Sequence, residues 1–155
     1  MNALTPNRGA TKIGLLRDLD PVEIGAVLYL RMWCNGPDAQ AQVWSDFAQT
    51  LGPARGRHAL KSLETLCQVI TDHARRPVMR HEVTCACLGA DEAIFAHFIA
   101  ASGAGEREEA MMFAMLLVRA DFAPLMLAEA EALALALKQI HQIETRHAAR
   151  PRTLH

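Results

Sequence analysis

The sequence is poor in aromatic and β-branched residues, and this scarcity argues against a fold built from sheets. Only 5% of the 155 residues are aromatic, whereas 51% are hydrophobic, with alanine, leucine and methionine prominent among them. Those three residues favour helices, while strands favour β-branched and aromatic side chains. The composition therefore predicts an all-α fold.

Long apolar runs are also missing. No uncharged stretch reaches the roughly 18 residues that a membrane span needs, and the N-terminus lacks the apolar core of about 7–15 residues found in signal peptides. We therefore expect a cytoplasmic protein with no membrane contact. Cysteines stay reduced in that compartment, so we do not expect a disulfide framework from the four present, which are Cys34, Cys67, Cys85 and Cys87.

The net charge of −1 hides an uneven distribution of charged residues. Residues 82–137 contain two Lys or Arg against nine Asp or Glu, whereas residues 1–81 contain ten against seven. An acidic segment repels phosphate backbones. Nucleic acid is therefore an unexpected partner, and any such contact would use the first half of the chain or its tail.

Apolar periodicity and helix-ending residues predict a compact orthogonal or antiparallel bundle of six to seven helices, forming one domain over residues 1–155. Asp20, Pro21 and Glu23 supply an N-cap, a first-turn proline and a third-position acid, which together mark a helix start. Residues 1–19 are expected to be a partly ordered lead-in, and residues 148–155 a loose basic tail. The predicted helices cover residues 21–34, 38–51, 54–73, 91–101, 106–119 and 124–147.

The segment 77–88 fits either a short helix or a strand. Its alternation would place Val83, Cys85 and Cys87 on one side of a strand. A lone strand would have no partner in an otherwise helical chain, and isolated strands are not stable. We therefore expect a short helix here.

Reactive side chains concentrate between His73 and His97. His81 and Cys85 are four residues apart, so on a helix they would share a face. Cys87 and His97 would complete a Cys2His2 set if the chain folds back at Gly89. Thiolate and imidazole ligands suit tetrahedral zinc. The sequence thus offers a candidate zinc site formed by His81, Cys85, Cys87 and His97.

Two other interpretations of this cluster remain open. Structural zinc sites use C-x(2–4)-C spacing, which the C-x-C of Cys85 and Cys87 does not match. Free cysteine is often simply buried, so both cysteines would then be packing residues, with His97 on a helix face and His81 in solvent. Alternatively, Arg80 and His81 would activate one thiol, although nearby acidic residues oppose that effect.

Residues 47–61 carry a second pattern. Phe47-Ala48-Gln49-Thr50-Leu51-Gly52 precedes a helix that starts Arg55-Gly56-Arg57-His58. This order of apolar helix, glycine turn and basic helix resembles the helix-turn-helix of bacterial repressors. The resemblance implies a DNA-binding regulator in which Arg55, Arg57 and Lys61 contact DNA, with residues 69–85 as a wing. The alternative is a basic, solvated helix end packed on the bundle.

No catalytic motif accompanies these candidates: G-x-S-x-G, a Gly-rich phosphate loop, H-E-x-x-H and an EF-hand loop are all missing. We therefore expect a non-catalytic interaction or regulatory module rather than an enzyme. A homodimer is plausible because the last helix has more apolar positions than one seam requires, namely Leu125, Leu127, Leu135 and Ile143. Met111, Met112, Met115 and Met126 would either fill the core or line an adaptable binding groove.

Overall fold

A computed structural model describes residues 8–151, which form six α-helices and a small two-stranded sheet. The predicted all-α bundle is confirmed. No helix within these residues combines the length and apolar character needed to cross a membrane. The helices are α1 (Pro21–Trp33), α2 (Pro37–Leu51), α3 (Pro53–His73), α4 (Ala90–Gly103), α5 (Arg107–Leu117) and α6 (Leu127–Ala149), and the strands are β1 (Lys12–Leu15) and β2 (Cys87–Gly89).

The helix starts follow the local sequence signals. α1 begins at Pro21, and Glu23 Oε1 accepts a hydrogen bond from the main-chain N–H of Asp20 at 3.3 Å. A single residue, Gly52, separates α2 from α3, and its φ of +86° is a conformation that glycine adopts without strain. The two helices therefore meet at a sharp corner.

Helix α4 lies at the centre of the bundle, packed against α1, α5 and α6. Its Phe95, Phe98 and Ile99 are completely buried. Such a helix is apolar around most of its circumference, as expected for a core element rather than a surface one. The core is completed by side chains from the surrounding helices, among them Phe47, Leu63, Leu66, Ala114 and Leu133.

The prediction of a short helix over residues 77–88 is wrong. The chain there is irregular, and residues 87–89 form β2, which pairs antiparallel with β1. Leu15 lies opposite Cys87, and Lys12 lies opposite Gly89. The partner strand comes from the segment expected to be a partly ordered lead-in, which explains why a lone strand looked implausible from the sequence.

The two ends of the chain are described only in part. Residues 1–7 of the predicted lead-in and 152–155 of the predicted tail lie outside the described residues. Within the lead-in, 3-10 turns at Arg8–Ala10 and Leu16–Asp18 flank β1. Ala148 and Ala149, expected in the tail, belong to α6.

Candidate functional site

A completely buried ion pair joins α1 to α4. The Nε of Arg31 lies 2.7 Å from Glu92 Oε1, and its Nη2 lies 2.9 Å from Oε2. Neither side chain has any solvent-exposed fraction. A buried charge is tolerated when it is paired and its remaining polar atoms are satisfied, and both conditions are met here.

The same two side chains form hydrogen bonds that hold in place the irregular segment between α3 and α4, residues 76–89. Arg31 donates from Nη1 to the carbonyl of Cys85 at 2.7 Å and from Nη2 to that of Cys87 at 2.6 Å. Glu92 accepts the main-chain N–H groups of His81 and Gly89 at 2.8 and 3.0 Å. Burial opposes ionisation of Glu92, but the hydrogen bonds from Arg31 and these amides outweigh it and lower the pKa of the carboxyl.

A second ion pair holds the start of that segment. Arg76 donates from Nη1 and Nη2 to the two oxygens of Asp91 at 2.9 and 2.6 Å. Asp91 also accepts the main-chain N–H of Met79 at 2.8 Å. The irregular segment 76–89 is thus fixed at several points by acids on the first turn of α4.

The four predicted zinc ligands are not assembled. Cys85 and Cys87 adjoin, because Cys85 Sγ accepts the N–H of Cys87 at 3.4 Å. The His81 ring lies beside Gly89, where a Cβ would approach its Cδ2 at 3.0 Å, and its Nε2 is buried without a hydrogen bond. Among residues 8–151, no three His, Cys, Asp or Glu side chains are grouped to hold a metal ion.

His97 is the ligand that is engaged elsewhere. It projects from α4 toward α1, where its Nδ1 lies 2.6 Å from Glu23 Oε2, although no aligned hydrogen bond reaches that oxygen. Its ring also packs against Phe113, with centroids 5.6 Å apart. The fourth predicted ligand, His97, therefore contacts Glu23 and Phe113.

The structure brings together two other cysteines. Cys34, just beyond the end of α1, is exposed, and Cys67 of α3 is buried. Each of them lines two adjoining cavities. Both line an open cavity of about 480 Å³ whose other walls include Leu30, Ile70, Val78 and the arginines at positions 75, 76 and 80.

The two thiols differ in acidity. The hydrogen bond from Cys67, with a further contribution from Arg80, lowers the pKa of Cys34 to about 7 despite the opposing effect of burial. The same hydrogen bond, together with burial, raises the pKa of Cys67 well above its usual value. Arg80 also donates from Nη2 to the carbonyl of Cys34 at 2.7 Å. The exposed thiol is therefore the nucleophilic member of the pair.

The residues of the helix-turn-helix prediction lie exposed near the start of α3. Arg55, Arg57 and Lys61 all face solvent, and Lys61 Nζ lies 3.7 Å from Glu64 Oε2. The segment 69–85, which was expected to form a wing, belongs to two parts of the fold. Residues 69–73 are the end of α3, and residues 76–85 lie in the irregular segment 76–89. DNA binding by these residues stays a prediction.

Helix α5 carries the densest exposed apolar surface of the described residues. Met112, Met115 and Leu116 are 50%, 36% and 55% exposed, and their i, i+3, i+4 spacing places them side by side. Among the other residues predicted for an interface, Leu125 and Leu135 are exposed, Leu127 and Ile143 are half-buried, and Met126 is completely buried.

Comparisons with protein-family models, curated proteins and solved structures gave no match.

The sequence did contain signals for the residues that pattern reasoning missed. Arg31 is the one basic side chain of α1, which has no other charged residue beyond Glu23 in its first turn, and Asp91 and Glu92 begin an apolar α4. A lone basic residue on a core helix needs a buried partner, which would have directed attention to the pair. Cys34 and Cys67 offered no comparable signal, because only the tertiary packing of α1 and α3 brings them together.

Proposed function

We propose that this protein is a non-catalytic regulatory module that acts as a homodimer, with the exposed face of α5 as the contact between the two copies. The observation that carries the proposal is the side-by-side exposure of Met112, Met115 and Leu116 in the C-terminal half of that helix. Apolar side chains that form a contiguous exposed patch are characteristic of interaction sites. Methionine is well suited to such a surface because its side chain adapts to a partner.

The ends of the helix supply charges that favour a second copy as the partner. Glu108 and Glu109 lie exposed in the first turn of α5, and Arg119 lies exposed just beyond its last residue. Two copies related by a two-fold axis through this patch run antiparallel, so Arg119 of each approaches the acidic end of the other. The patch is thus complementary to itself, as an isologous dimer contact requires.

The opposite face of α5 keeps this surface rigid. Ala110, Ala114 and Leu117 are buried, and α5 packs closely on α4. A helix held in this way does not need to order itself on association, which lowers the entropic cost of binding. We further propose that the dimer works in the cytoplasm, where the four thiols of each chain stay reduced in the resting state.

Light scattering coupled to size-exclusion chromatography tests the proposal. The wild type should have twice the 17.0 kDa mass of one chain, and Leu116→Glu should have the mass of a monomer. Leu135→Glu, which alters a similarly exposed leucine on α6, is the matched control and should remain dimeric. A wild type that is monomeric at every concentration, or a dimer that survives Leu116→Glu, would refute this interface.

A charge exchange tests the antiparallel arrangement separately. Glu108→Arg and Arg119→Glu should each weaken self-association, because each places like charges opposite each other in the proposed dimer. The double variant restores opposite charges and should recover part of the loss. Double variants that associate no better than the single ones would contradict the antiparallel pairing.

A further inference from the structure

Cys34 and Cys67 line the same two adjoining cavities, an arrangement that suits redox chemistry and is independent of any dimer contact. Cys34 is exposed, whereas Cys67 is buried. They come from different parts of the fold, the end of α1 and the middle of α3. A small oxidant therefore reaches Cys34 first, and a second thiol lines the same cavity.

The charges around the pair favour a thiolate at Cys34. Arg75, Arg76 and Arg80 line the cavity into which both cysteines open. Arg75 is engaged with the carbonyl of Met115 and Arg76 with Asp91, whereas Arg80 bonds the carbonyl of Cys34. The facing acid is Glu64, on the adjoining groove, and Lys61 lies 3.7 Å from it. The charged side chains that line the cavity are thus all basic.

We propose that Cys34 and Cys67 are a redox-responsive pair that a hydroperoxide oxidises to an intramolecular disulfide. The Cys34 thiolate attacks one oxygen of the peroxide, the O–O bond breaks, and the leaving hydroxide or alkoxide takes a proton, which leaves a sulfenic acid on Cys34. The Cys67 sulfur then attacks the Cys34 sulfur, its proton joins the departing hydroxide, and water leaves. In total, two thiols and one hydroperoxide give one disulfide, one water, and a second water or an alcohol.

The Cys34–Cys67 disulfide would link the end of α1 to α3 and would also affect the irregular segment 76–89. Arg80 holds that segment to the carbonyl of Cys34, so a shift of Cys34 toward Cys67 is passed to residues 76–89. The segment also contacts α4 through Asp91 and Glu92. Oxidation thus acts on the centre of the bundle as well as on its surface.

Tryptic mapping of the full-length wild type tests the proposal directly. Cleavage after Arg31, Arg55, Lys61, Arg75, Arg80 and Arg107 places Cys34 in peptide 32–55, Cys67 in peptide 62–75, and both remaining cysteines in peptide 81–107. Reduced protein is treated with hydrogen peroxide, alkylated under denaturing conditions and digested. The expected product is a disulfide-linked pair of peptides 32–55 and 62–75. Peroxide-treated protein in which that pair is absent, or in which peptide 81–107 takes the only disulfide, would overturn the proposal.

Variants separate the two steps without relying on the disulfide alone. Cys67→Ser should leave Cys34 as a sulfenic acid that dimedone traps, with labelling several-fold above that of the wild type. Cys85→Ser with Cys87→Ser should leave the crosslink unchanged. Arg80→Gln should slow alkylation of Cys34 several-fold at pH 7, because it removes a charge that stabilises the thiolate. Equal alkylation rates for Cys34 and Cys67 in the native protein would contradict the assigned roles.

Discussion

Arg31 and Glu92, 61 residues apart in sequence, make two parallel N–H to oxygen contacts in the interior of the bundle. Each side chain also satisfies two main-chain groups of the segment that connects α3 to α4. The pair therefore does more than neutralise charge, because it determines the path of a stretch that has little regular structure of its own.

Removing the charge of Glu92 should destabilise the protein strongly. Glu92→Gln leaves the Arg31 guanidinium buried without a counter-charge, and breaking a buried pair in this way costs about 3–5 kcal/mol of unfolding free energy. Urea denaturation followed by circular dichroism measures the change. Glu64→Gln, at an exposed ion pair with Lys61, is the matched control and should cost less than about 1 kcal/mol. Similar losses for both would contradict the role given to Glu92.

An apolar replacement of both members should not restore stability. In many proteins a buried ion pair is exchanged for hydrophobic residues at no net cost. Here the combination of Arg31→Met and Glu92→Leu would leave the carbonyls of Cys85 and Cys87, and the amides of His81 and Gly89, without their partners. Each orphaned group costs about 1–3 kcal/mol if it stays buried. A double variant as stable as the wild type would show that these main-chain contacts contribute little.

The lowered pKa of Glu92 predicts a loss of stability in acid. Because the folded-state pKa lies below the ordinary 4.5, the contribution of this carboxylate is complete above about pH 4.5 and disappears as the pH falls through the folded-state value. The stability difference between wild type and Glu92→Gln should therefore shrink as the pH falls below 4.5. Urea denaturation at several pH values measures it, and a difference that grows in acid would contradict the prediction.

The crossing of α2 and α3 should not tolerate a side chain at Gly56. A Cβ there would lie 2.9 Å from the main chain of Ala48, so Gly56→Ala forces the helices apart. Overpacking of this kind costs about 1–3 kcal/mol. Gly14→Ala is the control, because a Cβ at Gly14 meets no atom within 4 Å. Thermal unfolding should show a lower midpoint for Gly56→Ala and little change for Gly14→Ala; the reverse order would contradict the close crossing.

The separation of His97 from the C-x-C pair predicts that the purified protein lacks stoichiometric zinc. Protein prepared without chelator should contain well below one zinc per chain by elemental analysis, because tetrahedral zinc needs four ligands around one centre. Cys85→Ser should leave the zinc content and the unfolding midpoint unchanged. A zinc content near one equivalent per chain that is lost in Cys85→Ser would contradict this prediction and would support a zinc site formed by His81, Cys85, Cys87 and His97.

Short-range sequence signals were enough to predict the helices, but they did not predict the contacts between distant segments of the chain. Asp20 and Pro21 marked the start of α1, and Gly52 marked the corner between α2 and α3, because these effects act within a few residues. The strand pairing of residues 12–15 with 87–89 and the placement of Cys34 and Cys67 at one cavity depend on distant parts of the chain. The alternation of Val83, Cys85 and Cys87 allowed a strand but could not identify its partner, and no periodic pattern relates Cys34 to Cys67.

The long sequence separation of Arg31 and Glu92 also bears on the order of folding. During synthesis, α1, α2 and α3 are complete before Glu92 has been added to the chain. Until then Arg31 has no acid to accompany it into the interior, and burying it alone carries a large desolvation cost. We therefore expect the N-terminal half to reach its final compaction only after α4 has been synthesised.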